Sequence, residues 1–309
     1  MRREIREFRV GVLLKKPIKI GLALGGGGVR GMAHIVVLEA LDELGLRPDI
    51  IAGTSMGAIV GALYASGMTG RAIRELVRRH IILKEDKWRD LYAKREALLK
   101  WVRAFSIEFS RGGIISSDRF LNYLLNEIQK TTFEDLKIPL LVIATDYWTA
   151  EEVVLEKGEL LPAIHASTAV PGVFAPVCID TRVLVDGGVV NLVPYDHLLE
   201  RADLTIAVDV GRRRTISEKR IPSALESVLG TFDMMQRAAL TEKMKHQKPD
   251  IYVRMEIHDV HMLDFGKIEE VLGQAKPSVR ALKKELANRK LGRHAGRGKP
   301  IPSKGQRKN

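Results

Sequence analysis

The sequence predicts an α/β fold, a three-layer sandwich whose mainly parallel central sheet is covered by helices on both faces. Short β-branched apolar runs of strand length alternate with longer segments whose apolar residues recur at helical spacing. Those runs are apolar nearly throughout, as expected for strands buried on both faces. The first two also end in glycine-rich turns that open directly into helices.

Residues 18–24 form the first predicted strand, ending in glycines. Residues 29–44 follow with Met32, Ile35, Val36, Leu38, Leu41 and Leu44 on one stripe, stopped by Gly45. Residues 49–52 read as a second short strand, and 56–65 as an apolar helix of small residues suited to lie on a sheet. Further strands are predicted at 140–145, 153–155, 183–185, 204–210 and 251–253, with helices at 223–246 and 265–286. Between 84 and 110, Trp88, Leu91, Tyr92, Leu98, Leu99, Val102 and Phe105 follow helical spacing among lysines and arginines. That segment reads either as a surface helix packed on the core or as a basic, aromatic lid that meets a lipid interface.

The 309 residues are 45% hydrophobic and 28% charged, an ordinary balance for a globular chain large enough to bury a sizeable core. Net charge is +12, but residues 287–309 hold eight Lys/Arg and no acid, leaving +4 for the rest. The expected organisation is a basic N-terminal segment at 1–17, one α/β domain at 18–286, and a basic disordered tail at 287–309. The tail is either a solubilising end or an arm attracted to anionic lipid; nucleic acid is not an expected partner. Cys178 stands alone, so no intramolecular disulfide is possible, and a reducing, cytoplasmic location is expected, with peripheral contact at a membrane through 84–110 and 287–309. The N-terminal apolar run Val12-Leu13-Leu14 is too short for a signal peptide. Residues 50–70 lack charge, yet five glycines and several hydroxyls make a buried strand, turn and helix a better fit than a membrane span.

Gly26-x-Gly28-x-x-Gly31 follows a strand and opens a helix, which fits a dinucleotide fingerprint, and Asp49 lies near the distance of a ribose-binding acid. Asp49 precedes its strand, however, and so points away from the ribose position. Bare backbone N–H groups in such a loop suit an oxyanion as well as a phosphate. Gly53-x-Ser55-x-Gly57 stands between a strand and an apolar helix, where flanking glycines permit a sharp turn that projects a hydroxyl. Ser55 is thus either a nucleophile or a plain helix cap. None of the eight histidines sits in a motif typical of a triad partner. Asp186 is delivered by a strand to Gly187-Gly188, where it is either a base for Ser55 or part of an ordinary turn. Asp264-Phe265-Gly266 lacks the catalytic loop of a kinase, and His258-x-x-His261 lacks a third metal ligand motif; no metal or cofactor is expected.

Taken in order, Gly26-Gly27-Gly28-x-Arg30-Gly31, Gly53-Thr54-Ser55-Met56-Gly57 and Asp186-Gly187-Gly188 resemble the motifs of patatin-like phospholipases. The segment from Ala166 to Pro176 resembles the stretch preceding that family's Asp motif, and the likeness extends over about residues 18–210. It implies a calcium-independent Ser–Asp dyad acting on acyl esters of lipids, with Ser55 as nucleophile and Asp186 as general base. It further implies an oxyanion hole at Gly26, Gly27 and Gly28 with Arg30 supporting that loop, and Gly31, Gly53, Gly57, Gly187 and Gly188 shaping the turns. The chain departs from the family pattern at Val36 and Ala150, where glycine is usual. The alternatives are a nucleotide-binding or regulatory module that uses the glycine loop for phosphate, and a thioesterase or short-chain esterase.

Overall fold

The computed structural model describes residues 18–79, 130–212, 221 and 224–289. The predicted segments 1–17 and 84–110, and the tail from 290, lie outside the described residues. Eight strands form one sheet: β1 (Ile20–Leu24), β2 (Ile50–Thr54), β3 (Leu140–Asp146), β4 (Glu152–Leu155), β5 (Val177–Ile179), β6 (Arg182–Asp186), β7 (Leu204–Asp209) and β8 (Ile251–Arg254). The order is β5-β6-β3-β2-β1-β7-β8, with β4 also paired to β3. Strands β3, β2, β1, β7 and β8 are parallel neighbours, while β4, β5 and β6 are antiparallel. The sheet is therefore parallel through its centre and antiparallel at one end.

Alternation along the central strands divides large residues from small ones. Ile20, Leu22, Leu24, Ile51, Leu140, Val142, Ile206 and Val208 fill one core with α1 (His34–Glu43), α2 (Met56–Ala65) and α5 (Ile268–Asn288). Ala23, Ala52, Leu141 and Ala207 face the other side, against Leu192, Val193, Tyr195, Leu198 and Leu240 of α4 (Ala224–His246). Alanine on that face lets the segment 192–198 lie close to the sheet. Helix α5 is held by its stripe Ile268, Val271, Leu272, Ala275, Val279, Leu282 and Leu286, all buried. Helices thus cover both faces, as the alternation predicts. Residues 50–70 fold into the core as strand, turn and helix, and no helix among the described residues is long and apolar enough to cross a membrane.

Predicted and observed strand bounds agree within two residues. The helix expected at 29–44 begins instead as a 3-10 turn at Gly28–Ala33 before α1, because the chain leaves the glycine loop through Gly28 at φ 58°. Val36 packs into the larger core with 8% exposure, so its extra bulk is accommodated there. Helix α3 (Leu160–Thr168) and strand β5 carry no distinct sequence signal: α3 has Pro162 in its first turn and ends in Ala, Ser and Thr, while β5 is three residues long.

One register detail governs the rest. Ile143 pairs with Thr54 of β2 and Val154 of β4, while Ala144 pairs with Asp186 of β6 and Val153 of β4. A strand has two edges, and β4 occupies one, so β2 and β6 share the other. They meet end to end there, β2 stopping where β6 arrives from the opposite direction.

At the turn joining β3 to β4, Ala150 takes φ 57°, a left-handed conformation that a Cβ disfavours by about 1–2 kcal/mol. Ala150→Gly is expected to stabilise the fold by roughly 0.5–1 kcal/mol once the looser unfolded chain is counted. A urea unfolding midpoint that drops would show that the turn holds Ala150 without strain.

Candidate active site

Strand β2 ends at Thr54 and α2 begins at Met56, so the chain reverses at Ser55 alone. Ser55 adopts φ 54° and ψ −123°, which costs free energy for any residue bearing a Cβ. Its surroundings compel it. The Ser55 N–H donates to Ser167 Oγ at 2.9 Å, and its carbonyl accepts from the N–H groups of Ala58 and Ile59. A Cβ on Gly57 would lie 2.0 Å from the Leu24 carbonyl oxygen, and one on Gly53 would lie 2.7 Å from the backbone of Ala58. Only glycine on both sides lets the helix start this close to the sheet. The Ser55 side chain makes no capping hydrogen bond to α2, which removes the helix-cap alternative.

Asp186 ends β6 one sheet position beyond Thr54, and it is almost wholly buried. Its own N–H donates to the Ala169 carbonyl at 3.0 Å, and Thr145 Oγ1 donates to its carbonyl at 3.0 Å, so the backbone is fixed on two sides. The carboxylate accepts from the Gly188 N–H at 2.6 Å and from the Ser55 side chain. Burial pushes its pKa up to about 6, against the downward pull of those two hydrogen bonds. A Cβ on Gly187 would meet the Ile143 carbonyl at 2.2 Å, so the turn after Asp186 must pass with no side chain.

The glycine loop lies beside Ser55, where a Cβ on Gly26 would come within 3.3 Å of Ser55 Cβ. It narrows the expected oxyanion hole. The Gly26 N–H already donates to the Leu192 carbonyl at 2.9 Å, so it is not a free donor. Gly27 and Gly28 keep N–H groups with no acceptor among the described residues. Arg30 is not a direct donor either. Its buried guanidinium reaches the carbonyls of Val210 (3.2 Å) and Val260 (3.3 Å) and pairs with Asp233 at 2.6 Å, fastening the loop from below. A Cβ on Gly31 would collide with the Met56 side chain at 2.5 Å, and one on Gly188 with Gln236 Nε2 at 2.3 Å. His34 is buried, and burial lowers its pKa to about 4, so the neutral ring donates Nε2–H to the Gly25 carbonyl at 2.8 Å. That histidine holds the loop through the Gly25 carbonyl.

The segment after Asp186 links all three pieces. Leu192 accepts from Gly26, and the Asn191 carbonyl accepts from Thr54 Oγ1 at 2.9 Å. The Asn191 side chain is in turn held by Glu152, Asp196 and Lys243, whose Nζ also reaches the Val193 carbonyl at 2.8 Å. Glu152, Asp196 and His197 bring three potential ligand atoms within 4.8 Å of one another, but they are bonded to Lys243, Asn191 and each other. Sequence reasoning missed Ser167, Leu192, Asp233 and Lys243, whose partners lie tens to hundreds of residues away. Ser167 falls within the segment that resembles the family pattern, which was the available signal.

Asp49, the residue at ribose-binding distance, accepts from the Ile20 N–H at 2.7 Å, at the start of β1 and so at the end of the strand opposite the glycine loop. A nucleotide reading of the loop therefore loses its acid.

The model of the family described as patatin-like phospholipase matches residues 22–199, which include the glycine loop, Ser55 and Asp186. An NTE family protein of Mycobacterium tuberculosis is 36% identical over 193 residues, covering 62% of this chain and 49% of that protein. Rat patatin-like phospholipase domain-containing protein 7 is 31% identical over 278 residues, covering 82% of this chain and 20% of its own length. Lysophospholipase nte1 of Neurospora crassa is 26% identical, with 82% of this chain and 17% of that protein covered. The chain thus spans about half the length of its mycobacterial relative and a fifth or less of the other two. The solved structure of VipD from Legionella pneumophila covers 86% of this chain and 67% of its own, at 14% identity and TM-score 0.46.

The raised pKa of Asp186 has a thermodynamic consequence. The unfolded carboxyl ionises near 3.8 and the folded one near 6, so the folded state loses stability as pH rises between those values. Above pH 6 the cost is on the order of 3 kcal/mol. Asp186→Asn is expected to raise the thermal midpoint at pH 7, with the gain vanishing below about pH 4. A variant no more stable than wild type at pH 7 would show that the carboxylate is not strained by burial.

Proposed function

The chain belongs to the patatin-like phospholipase family, and we propose that it is a serine acyl hydrolase that cleaves fatty-acyl esters of lipids through a Ser55–Asp186 dyad. The observation that carries this reading is the contact between a serine in a strained turn and a buried carboxylate whose pKa is pushed up to about 6. A base with that pKa is largely ionised at pH 7 yet still basic enough to accept a proton, the balance that general-base catalysis requires. The relatives whose printed names include phospholipase and lysophospholipase support the substrate class.

In this mechanism Ser55 Oγ attacks the ester carbonyl carbon while its proton passes to Asp186. The carbonyl π electrons move onto oxygen, and the N–H groups of Gly27 and Gly28 hold the resulting oxyanion. The tetrahedral intermediate collapses, the ester C–O bond breaks, and the departing alkoxide takes the proton from Asp186. An acyl-enzyme on Ser55 remains. Water then attacks its carbonyl carbon, giving a proton to Asp186. Collapse of the second intermediate breaks the acyl–Oγ bond, returns that proton to Ser55 and releases the fatty acid. An apolar cluster of Val170, Val173, Phe174, Leu229, Phe232, Met262 and Leu263 connects the Ala169 turn behind Asp186 with Met262, which packs on Gly28.

Ser55→Ala and Asp186→Asn are each expected to lower kcat on a monoacyl ester by roughly a thousandfold or more, with folding retained. For the wild type, kcat/KM should fall about tenfold per pH unit below pH 6, because protonating Asp186 removes the base. Turnover by Ser55→Ala close to the wild-type rate would end the mechanism. So would a kcat/KM that stays flat down to pH 4.

A further inference from the structure

Helix α4 turns one stripe of residues toward the site. Asp233 pairs with Arg30 at 2.6 Å, Gln236 lies over Gly188, and Leu240 packs on the alanine side of the sheet. Lys243 comes next at the same helical spacing. Its ammonium carries three N–H donors, and three oxygens meet them: Asn191 Oδ1 at 2.6 Å, the Val193 carbonyl at 2.8 Å and Asp196 Oδ1 at 2.6 Å. It also lies 4.4 Å from the centre of the Tyr195 ring, whose hydroxyl donates to the Gln247 carbonyl just beyond α4. Burial lowers the Lys243 pKa, against the pull of Asp196 and Glu152.

Two of the three acceptors belong to the residues on either side of Leu192. The Leu192 carbonyl holds the Gly26 N–H at 2.9 Å. The Asn191 carbonyl holds Thr54 Oγ1 at 2.9 Å, one residue before Ser55, and the Asn191 N–H donates to the Gly187 carbonyl at 2.9 Å, one residue after Asp186. One short segment is therefore tied to the glycine loop, the serine turn and the aspartate turn. Glu152 and Asp196 accept from Asn191 Nδ2 at 2.9 and 3.1 Å, but among the described residues only Lys243 donates to Asn191 Oδ1. Removing the ammonium would leave that buried oxygen without a donor and free the carboxamide to turn.

We propose that Lys243 is a positioning residue for acyl transfer: acting through Asn191 and Val193, it holds Leu192 where the glycine loop presents the N–H groups of Gly27 and Gly28 to the oxyanion. Its ammonium bonds neither Ser55 nor Asp186, and it stands on a helix beyond residues 22–199, the part matched by the family model. Misplacing oxyanion donors by about 1 Å weakens the transition state far more than substrate binding, by up to roughly a hundredfold in rate. The inference rests on the acyl-hydrolase reading and adds to it a residue that sets the rate from outside the dyad and its loop.

The test measures kcat and KM of the full chain on one soluble monoacyl ester. Lys243→Met keeps the apolar stem and removes the donors; it should lower kcat roughly tenfold to a hundredfold with KM within about twofold of wild type. It also deprives Asp196 of its counter-charge, so Lys243→Met/Asp196→Asn is measured beside it, with circular dichroism giving the folded fraction. That pair removes the imbalance of charge and should keep the low kcat per folded molecule. If Lys243→Met does not fold, the double variant alone decides. Lys245→Met strips the same charge from the exposed side of α4, where Lys245 pairs with Glu242, and should keep kcat within about twofold. Wild-type kcat in Lys243→Met, a kcat that returns in the double variant, a loss that falls on KM, or an equal loss in Lys245→Met overturns the inference alone. No turnover by wild type overturns the hydrolase reading and the inference with it.

Discussion

The site depends on two strands of opposite direction ending against each other on one edge of β3. β2 releases its chain at Thr54, and the next position on that edge is filled by Asp186 at the end of β6. No loop has to find its place for the hydroxyl and the carboxylate to meet; the hydrogen-bond ladder of β3 spaces them. The residues immediately after each end, Ser55 and Gly187, must then leave the sheet in almost no room. That crowding explains the positive φ of Ser55 and the absence of a side chain at Gly53, Gly57 and Gly187.

The glycine loop is held with the same economy. A single segment, Gly187 to Val193, carries the turn after Asp186, accepts from Thr54 and Gly26, and is itself anchored by Lys243 of α4. Arg30 and His34 fix the other side of the loop through carbonyls. Two features work against stability here, a strained serine and a carboxylate buried near a neutral hydroxyl. They persist because the large core on one face of the sheet and close alanine packing on the other leave the backbone no alternative.

Much of this was legible in the residues. Strands buried on both faces read as short apolar runs, so their positions emerge within two residues, and Met56–Ala65 coincides with its predicted helix. The glycine pattern likewise marked where the chain turns sharply. What stayed hidden is relational. Nothing local in Gly26 shows that its N–H is taken by Leu192, and nothing in Arg30 shows that Asp233 and two carbonyls engage it. The end-to-end meeting of β2 and β6 is a matter of register, which composition and periodicity do not encode. Helix α3 escaped notice because its apolar stripe is short, Leu160, Ala163 and Ile164, with Pro162 in its first turn, although its Ser167 and the Ala169 beyond it grip both halves of the site.

The central claim is that burial beside a carboxylate makes one serine hydroxyl nucleophilic. A fluorophosphonate reagent reports this directly, with the modified peptide identified by mass spectrometry in the wild type and in Asp186→Asn. The account predicts stoichiometric labelling confined to Ser55 in the wild type and labelling slowed by orders of magnitude in the variant. Modification at another residue, or equal rates at Ser55 in both proteins, would contradict it.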